Sequence, residues 1–209
     1  MNNKKHVSLK DLAEELGVSV STVSRALKDS PEVGEEMRER VKKLAGEWNY
    51  RPNPFAISLL KNNPRIIGII VPDIVTHFYS SIISGISDVA RKNHYSVIIT
   101  SSYEQYELEK QCVEDLMNIR VEGIIACISQ ETTDYAHFES LIMQRVPLVF
   151  FDRVCLHGRC SCVVADNAES GKAATEHFLH HGAKRIGFIG GANHLDIVKQ
   201  RKHGYLDAL

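Results

Sequence analysis

The chain has 209 residues, 44% of them hydrophobic and 24% charged, proportions that are typical of a folded globular protein and exclude general disorder. Its 25 Lys and Arg nearly balance its 26 Asp and Glu, so the net charge of -1 gives no sign of a polyanionic partner. No apolar run is long enough to cross a membrane, and the polar N-terminus lacks the apolar core of a signal peptide. We therefore expect a cytoplasmic protein without a membrane partner, with its five cysteines reduced.

The first 28 residues predict two short helices joined by a tight turn. Ser8 and Asp11 have the spacing of a capping box at the start of the first helix. Gly17 suits the end of that helix, because glycine adopts positive φ at low cost. Ser19 would begin the second helix, and Val23 would pack between the two. This spacing is typical of a helix-turn-helix, although an ordinary helical hairpin has the same pattern.

The second predicted helix carries a short polar face with a single cation. Such a face suits the base edges and phosphates of a major groove, and a solvated helix surface is the alternative. A third helix is predicted from the apolar stripe that runs from Val33 to Trp48, and it would close a three-helix core. The polar face consists of Val20, Ser21, Thr22, Ser24 and Arg25.

Beyond Asn62 the pattern changes to β-branched runs that alternate with helical stretches. This alternation predicts parallel βαβ units, with helices on both faces of a parallel sheet. The predicted strands are Arg65–Val71, Tyr95–Thr100, Val121–Ile128, Val146–Phe151, Cys162–Ala165 and Arg185–Ile189. No nucleotide fingerprint or catalytic constellation supports an enzyme on this scaffold, and the spacing of Cys155, Cys160 and Cys162 fits no common zinc site. We therefore expect no catalysis, no metal and no cofactor.

Several motifs resemble the DNA-binding headpiece of the lactose-repressor (LacI) family. They are Val7–Ala13, Gly17–Leu27, Arg38–Val41 and Asn49–Asn53, and the likeness continues into the α/β region, so that it covers essentially the whole chain. The resemblance implies a helix-turn-helix headpiece, a hinge helix, and an α/β core like that of periplasmic sugar-binding proteins. The corresponding domains are 1–52 for DNA binding, 53–63 for the hinge and 64–209 for the core, with a first subdomain at 64–165 and the start of an incomplete second one at 166–209.

The resemblance also implies a function. Members of the family bind near-palindromic operator DNA as homodimers, and a small effector bound in the core changes their affinity for the operator. We therefore expect a sequence-specific transcriptional repressor that responds to a sugar or a sugar derivative. The alternatives are a regulator of the same family that responds to a nucleobase or a corepressor, and a solute-binding protein that does not bind DNA.

For the recognition helix, the motif match assigns roles residue by residue. Val20 and Ser21 would set sequence choice, and Arg25 would reach a base edge or a nearby phosphate. The remaining polar positions would contact phosphates or pack locally. These positions are Ser19, Thr22 and Ser24.

The predicted hinge carries the other DNA contacts that the resemblance implies. Tyr50 and Asn53 fall where the family contacts the DNA backbone, and Ala56 would let two hinge helices approach closely. Leu59 matches the apolar wedge that enters the minor groove and kinks the operator. A linker whose Leu59 packs on the core is the alternative. The hinge is too short for a stable isolated helix, so it would order on DNA.

In the core, five residues match effector positions of the family. Phe78 and Tyr79 follow the first predicted strand, where an aromatic ring stacks on the effector. Asp152 and Arg153 follow the fourth predicted strand and would open toward the cleft, since parallel strands end there. Arg201 matches an arginine that hydrogen-bonds sugar hydroxyls or a carboxylate. Each of the five could instead be an ordinary surface residue.

The sequence ends within an amphipathic pattern, Gly204–Leu209, that carries no helix stop signal. Members of the family continue further and complete a second subdomain and a dimer interface. The resemblance therefore implies a chain truncated at its C-terminus. We expect such a fragment to expose sheet edges and apolar helix faces, to bind effector poorly and to aggregate.

Overall fold

The computed structural model describes residues 7–50 and 64–209. The chain divides into two compact units, Met1–Asn62 and Asn63–Leu209. The predicted hinge and its proposed DNA contacts Asn53, Ala56 and Leu59 lie outside the described residues. In the part of the chain that is described, no helix combines the length and the apolar character that crossing a membrane requires.

The first unit is a three-helix bundle, as the sequence predicts. Its helices are α1 (Leu9–Leu16), α2 (Val20–Ala26) and α3 (Glu35–Glu47). Each helix contributes an apolar stripe to one small core, which excludes water because small side chains alternate with larger ones. The buried members of this core are Leu12, Ala13, Val23, Ala26, Val33, Val41 and Ala45.

Local side-chain bonds set the ends of the first two helices. The Ser8 hydroxyl accepts a hydrogen bond from the Asp11 amide (3.3 Å), and the Asp11 carboxylate accepts one from the Ser8 amide (2.7 Å). This is the predicted capping box, which satisfies amides that lack partners within the helix. Gly17 ends α1 with φ 65°, and the Ser19 hydroxyl caps α2 by accepting from the Thr22 amide (3.1 Å).

The second unit is built on a parallel five-stranded sheet with the strand order β2-β1-β3-β4-β5. Its strands are β1 (Ile66–Val71), β2 (Ser96–Ser101), β3 (Gly123–Ala126), β4 (Leu148–Phe151) and β5 (Ser161–Val163). The helices are α4 (His77–Lys92), α5 (Tyr106–Ile119), α6 (Ala136–Met143), α7 (Asn167–His180) and α8 (Asp196–Ala208). The predicted alternation of strands and helices is therefore confirmed from β1 to β4, and β4 is followed directly by β5.

Strand β1 is buried on both faces, which explains its continuous β-branched sequence. Ile66 and Ile70 face one apolar core, whereas Ile69 and Val71 face a second core on the other side of the sheet. Gly68 lies on the first of these faces, where a Cβ atom would approach the Leu116 side chain to 2.6 Å. The glycine therefore allows α5 to pack closely on the middle of the sheet.

The prediction of a strand at Arg185–Ile189 is wrong. Within the described residues this segment forms no strand, and the side chain of Ile189 is 99% exposed. A β-branched run becomes a strand only when a neighbouring strand accepts its hydrogen bonds, and none of the described segments pairs with it. Other predicted strand ends shift by one or two residues, because local bonds compete. The Val146 amide, for example, closes α6 by donating to the Leu141 carbonyl (2.9 Å).

Helices α7 and α8 cross at unusually short range because two glycines face the partner backbone. A Cβ atom on Gly204 would overlap the carbonyl oxygen of Ala168, and one on Gly171 would overlap the carbonyl oxygen of Arg201. Small residues at a helix crossing let the two backbones approach each other. The position of α8, which carries the predicted effector residue Arg201, is thus set by backbone contact with α7.

We expect the substitution Gly204→Ala to destabilise the second unit by about 1–3 kcal/mol, because the added methyl group must push the two helices apart. Gly85→Ala is the matched control, since Gly85 lies within α4 and a Cβ atom there would meet no neighbouring residue within 4 Å. That control should stabilise the chain by about 0.5–1 kcal/mol through helix propensity alone. Urea unfolding followed by circular dichroism measures both changes. Equal stability of the two variants would contradict the close crossing.

Candidate functional site

Helix α2 buries one face and leaves the predicted DNA-contact face open. Val23 and Ala26 are fully buried in the headpiece core, whereas Val20 is 43% exposed, and Ser21 and Arg25 are also exposed. An exposed apolar side chain beside two exposed polar ones, at the start of the second helix of a helix-turn-helix, suits contact with base edges.

The hydroxyl groups at the start of α2 bind one another. The Ser19 oxygen lies 2.7 Å from the Ser21 oxygen and 2.8 Å from the Thr22 oxygen, in addition to its capping bond. Ser19 and Thr22 therefore have a structural role in starting the helix. Ser24 is partly buried on the same helix. Phosphate contacts by these three residues stay predictions.

Arg25 is held by an acidic partner that the sequence did not single out. Its Nε atom lies 3.1 Å from a carboxylate oxygen of Glu32, in the segment between α2 and α3. Both side chains are largely exposed, and an ion pair of this kind contributes at most about 1 kcal/mol. A phosphate or a guanine edge could therefore replace the carboxylate. No periodicity links the two positions, so this partner is visible only in the structure.

Two other cations of the headpiece bind Asp29, in the turn that follows α2. Lys42 pairs with Asp29 at 2.5 Å, and the Arg38 guanidinium donates to the Asp29 carbonyl at 3.4 Å. The hydrogen bond from Lys42 lowers the pKa of Asp29 below its usual value. Tyr50 packs against the headpiece core, its amide donates to the Ala45 carbonyl (2.8 Å), and burial raises the pKa of its phenol. A contact between Tyr50 and DNA stays a prediction.

In the second unit, a cleft of about 770 Å³ opens beside the carboxyl ends of the strands. Four of the five predicted effector residues line it, namely Phe78, Asp152, Arg153 and Arg201. Apart from these residues and Gln130, the walls are apolar, which is typical of small-molecule sites that have a few fixed polar groups. The apolar lining residues are Ile82, Phe151, Val163, Val164, Ala165, Gly191, Ala192, Leu195, Ile197 and Val198.

The fifth predicted residue, Tyr79, lies beneath this cleft. Its side chain is only 6% exposed, its hydroxyl is 3.7 Å from the Cys127 sulfur, and its ring meets Phe151 edge to face. Burial raises the pKa of this phenol far above its usual value. Phe78 packs edge to face on Tyr79 at 5.2 Å and is itself 49% exposed, so Phe78 supplies the open aromatic surface. Tyr79 lines a smaller adjoining cavity of about 560 Å³.

Hydrogen bonds fix the backbone of Asp152 and the side chain of Arg201 at the cleft. Asp152 follows β4 with φ 58°, and its amide donates to the Val163 carbonyl (3.1 Å), which fixes it beside β5. The Nε atom of Arg201 donates to the side-chain oxygen of Asn167 at 3.0 Å. Asn167 is almost fully buried at the start of α7, so it orients the arginine toward the cleft.

Arg153 is anchored by Glu104, a second residue that the sequence patterns did not single out. The Nη1 atom of Arg153 lies 2.9 Å and 2.7 Å from the two carboxylate oxygens of Glu104. Burial is the largest single effect and lowers the pKa of Arg153, but the hydrogen bond to Glu104 and the charge interactions with neighbouring groups together raise the pKa above its usual value. Glu104 follows the end of β2, so the rule that ligands bind at the carboxyl ends of parallel strands could have found it.

Two protein-family models match consecutive parts of the chain. A family model described as bacterial regulatory proteins of the lacI family matches residues 1–53. A second, described as periplasmic binding proteins and the sugar-binding domain of the LacI family, matches residues 65–209. The chain belongs to the LacI family. Its helical headpiece followed by a parallel α/β core agrees with the fold that the sequence predicts.

Individual LacI-family relatives are similar over nearly the whole chain. The HTH-type transcriptional regulator MalR of Streptococcus pneumoniae is 34% identical over 208 residues, covering 97% of this chain and 62% of the relative. The ribose operon repressor of Bacillus subtilis is 35% identical over 202 residues, covering 97% and 60%. The crystal structure of the lac repressor dimer bound to operator and the anti-inducer ONPF superposes with a TM-score of 0.73 at 26% identity, covering 98% and 62%. The chain thus spans about three fifths of these relatives' lengths.

We expect Val20 and Ser21 to determine which DNA sequence is preferred, because they are exposed on the open face of α2. Replacing both by alanine should change the sequences that the chain selects from a random DNA pool. Arg25→Ala should weaken binding to the selected sequence by about 1–3 kcal/mol. Sequencing of the selected DNA measures the first effect, and fluorescence anisotropy the second. An unchanged preference in the double variant would remove these two residues from base readout.

We expect Glu32→Gln to strengthen DNA binding, because Glu32 competes with DNA for Arg25. The gain should be at most about fivefold, as expected for an exposed ion pair. Glu39→Gln is the control, since it removes the same charge from the exposed surface of α3. Anisotropy titrations at two salt concentrations compare the variants. An equal gain in both would mean that only net charge matters.

Proposed function

We propose that this chain forms the DNA-binding and effector-sensing parts of a cytoplasmic transcriptional repressor. The complete protein acts as a homodimer on near-palindromic operator DNA, and a sugar or sugar derivative changes its operator affinity. The observation that carries the proposal is that one chain holds both an open recognition helix and a cleft with an aromatic ring, a carboxylate and two arginines. No enzymatic step and no cofactor is part of the proposal.

The chemistry of the cleft supports a carbohydrate as effector. The exposed ring of Phe78 offers an apolar surface for the C–H face of a sugar ring. Asp152 accepts hydrogen bonds from hydroxyl groups, and the guanidinium of Arg201 donates to them. A volume of about 770 Å³ lies within the range of ordinary small-molecule sites. The name of the ribose operon repressor contains a sugar, and the family model over residues 65–209 is described as including a sugar-binding domain, which agrees with this assignment.

The effector would act by bridging the end of β4 to helix α8. Asp152 is fixed beside β5, and the side chain of Arg201 on α8 is held by Asn167 of α7, so a ligand that bonds both side chains stabilises one spacing between them. A ligand shifts a conformational equilibrium only through its different affinities for the two states. In the complete dimer this spacing would control the hinge, residues 53–63, where we propose that Asn53, Ala56 and Leu59 contact the operator.

Two measurements on this chain test the proposal. Selection from random double-stranded DNA should enrich a half-site, and binding should weaken steeply with salt because phosphate contacts release counterions. Arg25→Ala should reduce the enrichment, and Lys92→Ala, which removes a cation from the C-terminal end of α4 in the second unit, should leave it unchanged. Absence of enrichment by the wild-type chain would contradict DNA binding.

A thermal-shift panel of neutral mono- and disaccharides, with nucleosides and nucleobases as the competing class, tests the effector. A stabilising sugar should lose its effect in Asp152→Asn and retain it in Asp115→Asn, whose side chain lies on the outer surface of α5. Stabilisation by a nucleoside or nucleobase alone would replace the carbohydrate assignment. A shift that survives Asp152→Asn would place the ligand elsewhere.

A further inference from the structure

The charged side chains around the effector cleft leave no excess of positive charge. Arg153 and Arg201 contribute two positive charges to its wall, and Asp152 contributes one negative charge. Glu104 and Asp73 add two further negative charges in the adjoining cavity, which they line together with Arg153. The remaining cleft wall is almost entirely apolar. An anionic ligand would therefore enter a low-dielectric site that offers it no net positive charge.

The pair formed by Arg153 and Glu104 neutralises the arginine without removing all of its donors. The Arg153 side chain is 19% exposed, and its Nη1 atom donates to both carboxylate oxygens of Glu104. A guanidinium has five N–H groups, so donors on Nη2 and Nε remain for the oxygen atoms of a ligand. An uncharged hydroxyl can accept from these donors beside a carboxylate. A phosphate would meet repulsion from Glu104 instead.

Glu104 is fixed in this position from several sides. Its φ angle is 63°, an uncommon conformation for a residue with a side chain, and one carboxylate oxygen also accepts from the Gln130 amide at 2.6 Å. The loop that carries Gln130 is in turn held by the buried carboxylate of Glu109, which accepts from the Ser129 amide (2.5 Å) and the Thr132 hydroxyl (2.8 Å). Movement of the Glu104 carboxylate away from Arg153 would therefore also disturb its bond to the Gln130 amide, in a loop that Glu109 holds in place.

We propose that Glu104 is a specificity residue, which neutralises Arg153 so that the cleft accepts uncharged polyhydroxylated ligands and rejects phosphorylated or carboxylated ones. The proposal rests on the proposed function only in taking this cleft as the effector site. It narrows the effector class by charge and assigns a role to a residue outside the five effector positions predicted from the sequence.

The test uses inorganic phosphate as the probe, with the 209-residue chain and isothermal titration calorimetry at constant ionic strength. The wild-type chain should show no phosphate binding that depends on Arg153. Glu104→Gln removes the negative charge but keeps an oxygen that can accept from Arg153 and from the Gln130 amide. This variant should gain a saturable phosphate site, at least about tenfold tighter than any binding by the wild-type chain. The double variant Glu104→Gln/Arg153→Gln should lose that site.

Glu107→Gln is the matched control, because Glu107 loses the same charge but pairs with Lys110 on the exposed side of α5. A gain of phosphate binding in this control equal to that in Glu104→Gln would overturn the proposal, since net charge alone would explain it. A folded Glu104→Gln chain with no gain would also overturn it, because Glu104 would then only support the loop. Phosphate binding that remains in the Arg153 variants, such as binding to the headpiece, is subtracted from the titrations of the other chains.

If Glu104→Gln does not fold, the wild-type chain and Arg153→Gln decide the question. Phosphate binding by the wild-type chain that Arg153→Gln abolishes would overturn the proposal, and equal titrations of the two would support it. These titrations need neither DNA nor a sugar. The result for Glu104 as a specificity residue is therefore distinct from the result for the proposed function, which the DNA selection and the sugar panel measure separately.

Discussion

The parallel hydrogen-bond ladder of the sheet is the constraint on which the candidate effector cleft depends. Because all five strands point the same way, the loops that leave them meet at one edge. Glu104 after β2, Gln130 after β3 and Asp152 after β4 are far apart in the sequence, yet they converge there. The ladder is satisfied entirely by backbone atoms, so these loops can vary in side chain without loss of the sheet. The backbone of the sheet thus sets where these side chains lie, and the loop sequences determine the chemical selectivity of the cleft.

The sequence contains enough local information to predict most of the elements. The Ser8 capping box and the Gly17 turn are short-range features, and the β-branched run of β1 is long and distinctive. Arg185–Ile189 is also largely apolar but forms no strand, because strand formation depends on a partner segment and composition does not encode one. Local patterns therefore predict helices and their caps better than they predict membership of a sheet.

Site residues could be predicted from the sequence where they belong to a recognisable motif or follow the end of a predicted strand. The resemblance and the strand-end rule placed Phe78, Asp152 and Arg201 at the cleft, but sequence spacing does not reveal that Tyr79 lies below its surface. The sequence patterns did not identify the acidic residues that pair with the site arginines, because each pair joins segments that are brought together only by the fold. These partners are Glu32 and Glu104. The strand-end rule could have pointed to Glu104, whereas no sequence pattern pointed to Glu32.

The glycine crossing of α7 and α8 has a further consequence for how ligand geometry is transmitted. At this crossing the main-chain carbonyl of Arg201 lies against Gly171, whereas the Arg201 side chain is held by Asn167 at the start of the same helix α7. One helix therefore fixes both the backbone and the guanidinium of the arginine. Rotation of α8 about its own axis would break a backbone contact and a side-chain bond together. The two helices should consequently move as one rigid body. A displacement of the guanidinium would then move both α7 and α8 along their whole length.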